Sequence, residues 1–426
     1  MNKALAVLIL VALPARSLLA AEGTPTPPAG APVNSAPAPR ARILTLDGRS
    51  LEGTGLRAAD GKLTVVLGPG EASVDLADVL EASLETAVAP GSTHLPGSPA
   101  APAVEVELVN RDLLRGVLLR GKGEEGFVLR NAALGEVDVA LENVASVRFL
   151  AGAARAGDPP PLEAGAKEDR VLFVTGDRIE GTLRSVAPAE VKVRAADGSD
   201  RTLKVEGLLG FALAALPRKA ETGLRVQIAL TDGSRITATS VETTDTAWKV
   251  AGTLDGKERV VPSAFVAGLA VRGGRGVALS DIVPASVAIR PFWGEDPPVL
   301  PLKPRFDRAF NLDRGTPPPL RLGGRTFLRG VSCFSGTTIT YDLSALSFKS
   351  FVATVGVDDG GPRGAVEFEV LLDGKSAWKS GVVRNVPVAM PRLDLTGVKS
   401  LALVVHAGPD DDVQDFADWV KAALLP

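Results

Sequence analysis

The stretch "ILTLDGRSLEGT", residues 43–54, sets how most of this chain must fold. Apolar residues alternate up to a turn at Asp47-Gly48 and resume at Leu51, which gives a two-strand ribbon with one buried face. The pattern returns at "VELVNRDLLRGV" (106–117), "LFVTGDRIEGTL" (172–183) and "IALTDGSRITAT" (228–239). The second strand of each copy opens at Leu51, Leu114, Ile179 or Ile236. Three copies carry glycine two residues on, at Gly53, Gly116 and Gly181, where the fourth has Ala238. Asp47-Gly48 and Asp232-Gly233 predict two-residue hairpin turns with both central residues at positive φ. Each copy then closes with a further apolar stretch: "VDLADVLEASL", "VALENVASVRF", "LKVEGLLGFAL" or "VPSAFVAGLAV".

A unit of this kind reads as four or five short antiparallel strands, and a curled sheet of that size resembles small SH3-like or Sm-like barrels. The expected units are residues 41–87, 104–150, 168–215 and 222–272. Stretches rich in Pro, Ala and Gly punctuate them at 22–40, 88–103 and 151–167, with the composition of extended spacers. The units share no repeated carboxylate pair and no glycine-rich phosphate loop. They read as spacers or protein-docking modules, with strand addition at an open edge as the functional alternative.

The totals agree with small β domains. The chain has 426 residues, too many for one core, with 45 Gly, 32 Pro and 4% aromatics. A net charge of −3, from 47 basic and 50 acidic residues without a long basic run, argues against a nucleic-acid partner. The opening "MNKALAVLILVALPARSLLAAEG" has a lysine, an apolar run too short for a bilayer, and small residues at Ala20 and Ala21. Residues 1–21 are expected to be a signal peptide. The mature chain, without a membrane span, is expected in the periplasm, at the cell surface or outside the cell. The single cysteine, Cys333, excludes an intramolecular disulfide and reads as a small core residue.

From about residue 277 the texture changes. "VEFEVLLDGKSAWKSGVV" (366–383) is a hairpin about Asp373-Gly374, and "TTITYDLSA" (337–345), "FKSFVATVGVDD" (348–359), "PRLDLTGVKSLALVV" (391–405) and "ADWVKAALL" (417–425) supply further strands. That spacing indicates an antiparallel β-sandwich. The blocks "LRLGGRTFLRGV", "TITYDLSA", "FVATVGVDDGGPRGAVEFEVLLDGKSAWKSGVV", "LDLTGVKSLALVV" and "DVQDFADWVKAAL" resemble the NPCBM family of carbohydrate-binding modules. That family is associated with family 98 glycoside hydrolases and is similar to carbohydrate-binding module family 51. The resemblance covers residues 277–426 and implies a jelly-roll sandwich with a non-catalytic glycan-binding role. Two positions depart from the family pattern. Phe334 in "SCFS" and Phe416 in "DFADW" stand where the family usually has histidine, and the two rings are expected to touch.

Glycan sites pair an aromatic face with planar polar groups. By residue type the candidates are Trp293, Trp378, Tyr341, Arg384 and Asn385, with a core role open for each aromatic. "GPDDDVQD" (408–415) and "GVDDGGPRG" (356–364) bring Asp410, Asp411, Asp412, Asp415, Asp358 and Asp359 as oxygen donors for a structural Ca²⁺, or as solvated turn residues. Aspartates clustered in one loop do not supply the facing, pKa-separated carboxylates that a glycosidase needs. Of two histidines, His94 falls in a linker and His406 ends a strand, so no Ser-His-Asp set forms. Two readings stand. One is an exported, non-enzymatic protein that binds a cell-surface or extracellular glycan, with the repeats as spacers. The other is a scaffold for another exported protein, its sandwich no longer binding sugar.

Overall fold

A computed structural model describes residues 39–85, 101–150, 167–214, 222–253, 255–290, 302–310, 318–410 and 412–426. The expected signal peptide and most of the three spacers lie outside these residues. The fold is almost entirely antiparallel β-structure.

In the first unit, strands Arg40–Thr45, Ser50–Ala59, Lys62–Leu67 and Gly70–Asp75 lead through a 3₁₀ turn, Leu76–Asp78, to Val79–Leu84. The first strand pairs with both the second and the fifth, which curls the sheet into a barrel around Ile43, Leu63, Val65 and Ala82. The second and third units repeat this plan, and the fourth does so with its second strand broken into Arg235–Ala238 and Ser240–Thr243, counted here as one. Their first and fifth strands pair as Ala103–Leu108 with Val144–Phe149, Asp169–Phe173 with Leu208–Ala212, and Arg225–Leu230 with Val266–Arg272. Each also has a 3₁₀ turn before the fifth strand: Leu141–Asn143, Val205–Gly207 and Ser263–Phe265.

The opening turns at Asp47-Gly48 and Asp232-Gly233 correct the sequence expectation, and the other two share their form. Only one residue per turn has positive φ: Gly48, Arg111, Gly176 or Gly233. In the first unit the Gly48 N–H donates to the Thr45 carbonyl and the Thr45 N–H to the Arg49 carbonyl, at 3.0 Å each. This is a three-residue loop closed by a left-handed bulge residue, not a two-residue turn, and only the bulge position needs glycine's freedom. Asp373-Gly374 does have both residues at positive φ, 48° and 75°.

The barrels join through their fifth strands. Gly268, Leu269 and Ala270 of the fourth pair with Ser83, Ala82 and Glu81 of the first. Gly210, Phe211 and Ala212 of the third pair with Arg148, Val147 and Ser146 of the second. The pairing is therefore nested, one with four and two with three. Second and fourth barrels meet at their opening turns, where Asp112 accepts bonds from the Thr237 N–H and hydroxyl, and Asn131 donates to Asp232.

The C-terminal part is a two-layer sandwich. One sheet runs Ser286–Ile289, Thr337–Asp342, Ser400–Ala407, Val366–Leu372, Lys375–Val383. The facing sheet is centred on Gly330–Phe334, Phe416–Leu425 and Ser350–Val357. Between them pack Val331, Cys333, Ile339, Phe351, Phe368, Leu403 and Trp419, with the Phe368 and Trp419 rings edge to face at 5.1 Å. Cys333 is buried, and burial pushes its thiol up.

Candidate functional site

Three loops and one short hairpin gather at one end of the sandwich. The hairpin pairs Leu320–Leu322 with Arg325–Phe327 across Gly323-Gly324. The loops are 358–365, after Ser350–Val357, then 384–387, after Lys375–Val383, and 408–415, before Phe416–Leu425.

Carboxylates and backbone amides hold these segments together. Asp359 accepts from the Gly323 and Gly324 N–H groups, both at 2.8 Å. Asp358, 4% exposed, accepts from the Arg321 N–H at 2.9 Å and the Gly360 N–H at 2.8 Å. Asp415, fully buried, accepts from the Ala365 N–H at 2.9 Å. Arg384 donates to Asp410 across the two outer loops at 3.0 Å. A carboxylate that accepts backbone N–H bonds satisfies the polar groups of irregular chain that has no ladder partner.

The electrostatics differ from one aspartate to the next. Burial raises Asp415 to about 6 despite its Ala365 bond, and the charges of Asp412 and Asp410 push the same way. Asp418, on the final strand, is completely buried, touches Ser332 and faces Asp358. Burial, and then the Asp358 charge, hold its carboxyl well above the usual carboxylate range. This close acidic pair is buried on the face of the final strand that turns away from the sandwich core, beneath the hairpin and the Phe310 segment, where a polysaccharide cannot reach it.

The sequence candidates separate on this frame. Arg384 and Asn385 are exposed, next to Val386, which is 75% exposed. Trp378 is half-buried against the sandwich core, opposite Val370. Tyr341 is corrected: it is fully buried in the core because it alternates with Thr340 and Asp342 on a central strand. Trp293 and Asp411 lie outside the described residues, as does His94. The remaining metal candidates, Asp358, Asp359, Asp410, Asp412 and Asp415, share this end of the sandwich. Among the described residues, no group of three or more His, Cys, Asp or Glu is arranged to hold a metal ion. His406, exposed just before the 408–415 loop, lies 2.7 Å from Glu369 of the neighbouring strand.

Phe334 and Phe416 do meet. They are register partners on neighbouring strands, their rings are 6.4 Å apart, and Phe310 packs 5.7 Å from each. Leu302 completes the cluster. Sequence reading missed Phe310 and the amide-binding role of Asp359. The signal for Asp359 was the neighbouring pair Gly323-Gly324, whose free N–H groups need an acceptor.

Residues 301–425 match the family model of the NPCBM/NEW2 domain. A curated protein of Renibacterium salmoninarum, "Putative endo-alpha-N-acetylgalactosaminidase", is 31% identical over 114 residues, 26% of this chain. The chain spans only 8% of that relative's length. Among solved structures, a CBM51 module from Clostridium perfringens GH95 in complex with methyl-galactose is 24% identical, with a TM-score of 0.29. That match covers 35% of this chain and 99% of the module. Tandem CBM51 modules of the Streptococcus pneumoniae family 98 enzyme Sp3GH98 are 13% identical, with a TM-score of 0.28. They cover 76% of this chain and 88% of their own.

Proposed function

We propose that this is an exported, non-catalytic glycan-binding protein whose ligand sits on the loop end of the sandwich, with Arg384 and Asn385 as hydroxyl-bonding groups. One observation carries the reading: the loop pair bridged by Arg384 and Asp410 leaves Asn385 and Val386 exposed, within the residues that match a carbohydrate-binding family. The buried Asp358–Asp418 pair supports a binding role over a hydrolytic one, since glycoside hydrolysis needs both carboxyls open to the substrate.

A glycan-array screen of the full chain, with Ca²⁺ and with chelator, tests this. Specific hits that fall at least about tenfold in Arg384→Ala and Asn385→Ala, a loss of about 1.4 kcal/mol, are the expected result. No hit with a folded chain would remove the glycan reading for the sugars tested. Loss of hits on chelation would restore a cation to the acidic loops.

A second reading, a protein-interaction scaffold, is favoured by the aromatic inventory. Among the described residues Tyr341 is core, Trp378 is half-buried, and Phe310 packs on the register-paired rings of Phe334 and Phe416 in a buried cluster. A folded chain that binds no glycan but captures an exported protein would support it.

A further inference from the structure

The hairpin that supports the candidate glycan loops is gripped from the other side by the first barrel. Glu81, 2% exposed on the fifth barrel strand, accepts from the Leu328 N–H at 2.9 Å and the Arg329 N–H at 3.1 Å. Arg42, on the neighbouring first strand, donates to the Thr326 carbonyl at 3.2 Å. Its guanidinium lies 4.9 Å from the Phe327 ring centroid and 3.8 Å from Glu81. Phe327 packs with Leu320, Leu322 and Val420 beneath the hairpin. At the hairpin tip, Asp359 holds Gly323 and Gly324, and Pro387 sits against Gly323 at 3.4 Å from where a β-carbon would stand. Pro387 is three residues from Arg384.

We propose that the first barrel is a positioning element for the sugar-binding loops, with Arg42 and Glu81 setting the place of the 320–327 hairpin and, through Pro387, of the 384–387 loop. The inference rests on the glycan reading of that loop end, and it makes the sandwich more than a module carried on a spacer. The physical reason is that the hairpin is a two-stranded piece, which is marginal alone and takes its rigidity from what it packs on. One of its faces is held by the sandwich and its far strand by barrel side chains. A buried carboxylate that accepts two backbone N–H groups restrains that end of the hairpin, and the hairpin carries the restraint to Gly323, which meets Pro387 of the Arg384 loop.

Hydrogen exchange of the full chain, read segment by segment, tests the proposal independently of any sugar. In Arg42→Ala, exchange is expected to rise about tenfold both at 320–328 and at 384–390, with 190–204 in the third barrel unchanged. Arg42→Lys, which keeps the cation near Glu81 but not the planar fork, should fall between wild type and alanine. If Arg42→Ala does not fold, Glu81→Gln serves, keeping the shape and losing the charge. Wild-type rates at 384–390, or a rise spread over all four barrels, would overturn the proposal. Where the array finds a glycan, its Kd should rise about threefold or more in Arg42→Ala; an unchanged Kd would also overturn it. An empty array removes the sugar but leaves the exchange result to decide whether the barrel positions the loop.

Discussion

A single β-carbon at Gly53, Gly116 or Gly181 would stand 2.0, 2.4 or 2.1 Å from the carbonyl oxygen of Val66, Arg130 or Arg194. The third strand of each barrel crosses the second there with no room for a side chain. In the fourth unit the strand breaks after Ala238 and the next pairs elsewhere, so alanine is accommodated. Gly116→Val is expected to cost about 3 kcal/mol or more, from forced backbone movement and overpacking, measured by denaturant unfolding. At Asp415 the expectation concerns pH. Its folded value, about 6, is above the ordinary 3.8, so the folded chain holds that proton more tightly than the unfolded one. Stability from this group is fully present below about pH 4 and lost as pH rises through about 6. The difference in melting temperature between wild type and Asp415→Asn should therefore change between pH 7 and pH 4, in favour of wild type on the acid side. A constant difference would show that Asp415 ionises as in the unfolded chain.

At the scale of strands and turns, the four opening turns share one geometry with different residues at the left-handed position. Arg111 holds it at φ 67°, where the other units have glycine, and its guanidinium donates to the Ser280 carbonyl of the segment leading into the sandwich. Arg111→Gly removes backbone strain of about 1 kcal/mol but loses that bond, so a near-zero net change in stability is expected. A marked destabilisation would show that the Ser280 contact outweighs the strain. The fifth strands carry the sharper test. A β-carbon at Gly210 would stand 2.1 Å from the Val147 carbonyl oxygen, across the join of barrels two and three. Gly210→Val is expected to part these barrels while each keeps its own sheet, seen as raised exchange at 144–149 and 208–212 with the first and fourth barrels unchanged. The aromatic cluster is the corresponding device in the sandwich. Phe416→Ala should cost about 3–5 kcal/mol, because two neighbouring rings lose their partner.

Across the whole molecule, barrels and sandwich are locked by buried ion pairs as well as by apolar packing. Glu105 of the second barrel, 7% exposed, lies 2.8 Å from Arg115 and 3.7 Å from Arg308 of the sandwich segment. Despite the cost of burial, the Arg308, Arg115 and Arg148 charges hold it down at about 2. Its contribution is present above about pH 4.5 and lost as pH falls through about 2. Glu105→Gln leaves buried arginines short of a counter-charge and is expected to cost about 3–5 kcal/mol at neutral pH, with a smaller effect near pH 2.

Alternating apolar residues and turn glycines made four β units and a sandwich legible in the sequence, because strand formation is a local matter of period and turn chemistry. The meeting of Phe334 and Phe416 was legible too, from two substitutions against one family pattern. The exact form of the opening turns was not, since Asp-Gly serves both a two-residue turn and a bulged three-residue loop; the register of the flanking strands chooses between them. Nor could alternation tell Tyr341 in the core from Trp378 at its margin, because each sits in an equally regular strand and only the facing sheet decides which side is covered. The nested pairing of the barrels, the grip of Arg42 and Glu81 on a hairpin more than two hundred residues away, and the gathering of Arg384 with Asp410 rest on contacts between distant segments. No local pattern encodes such contacts: each depends on where whole sheets pack, and that is fixed by the sum of buried surface and by which buried charges find partners.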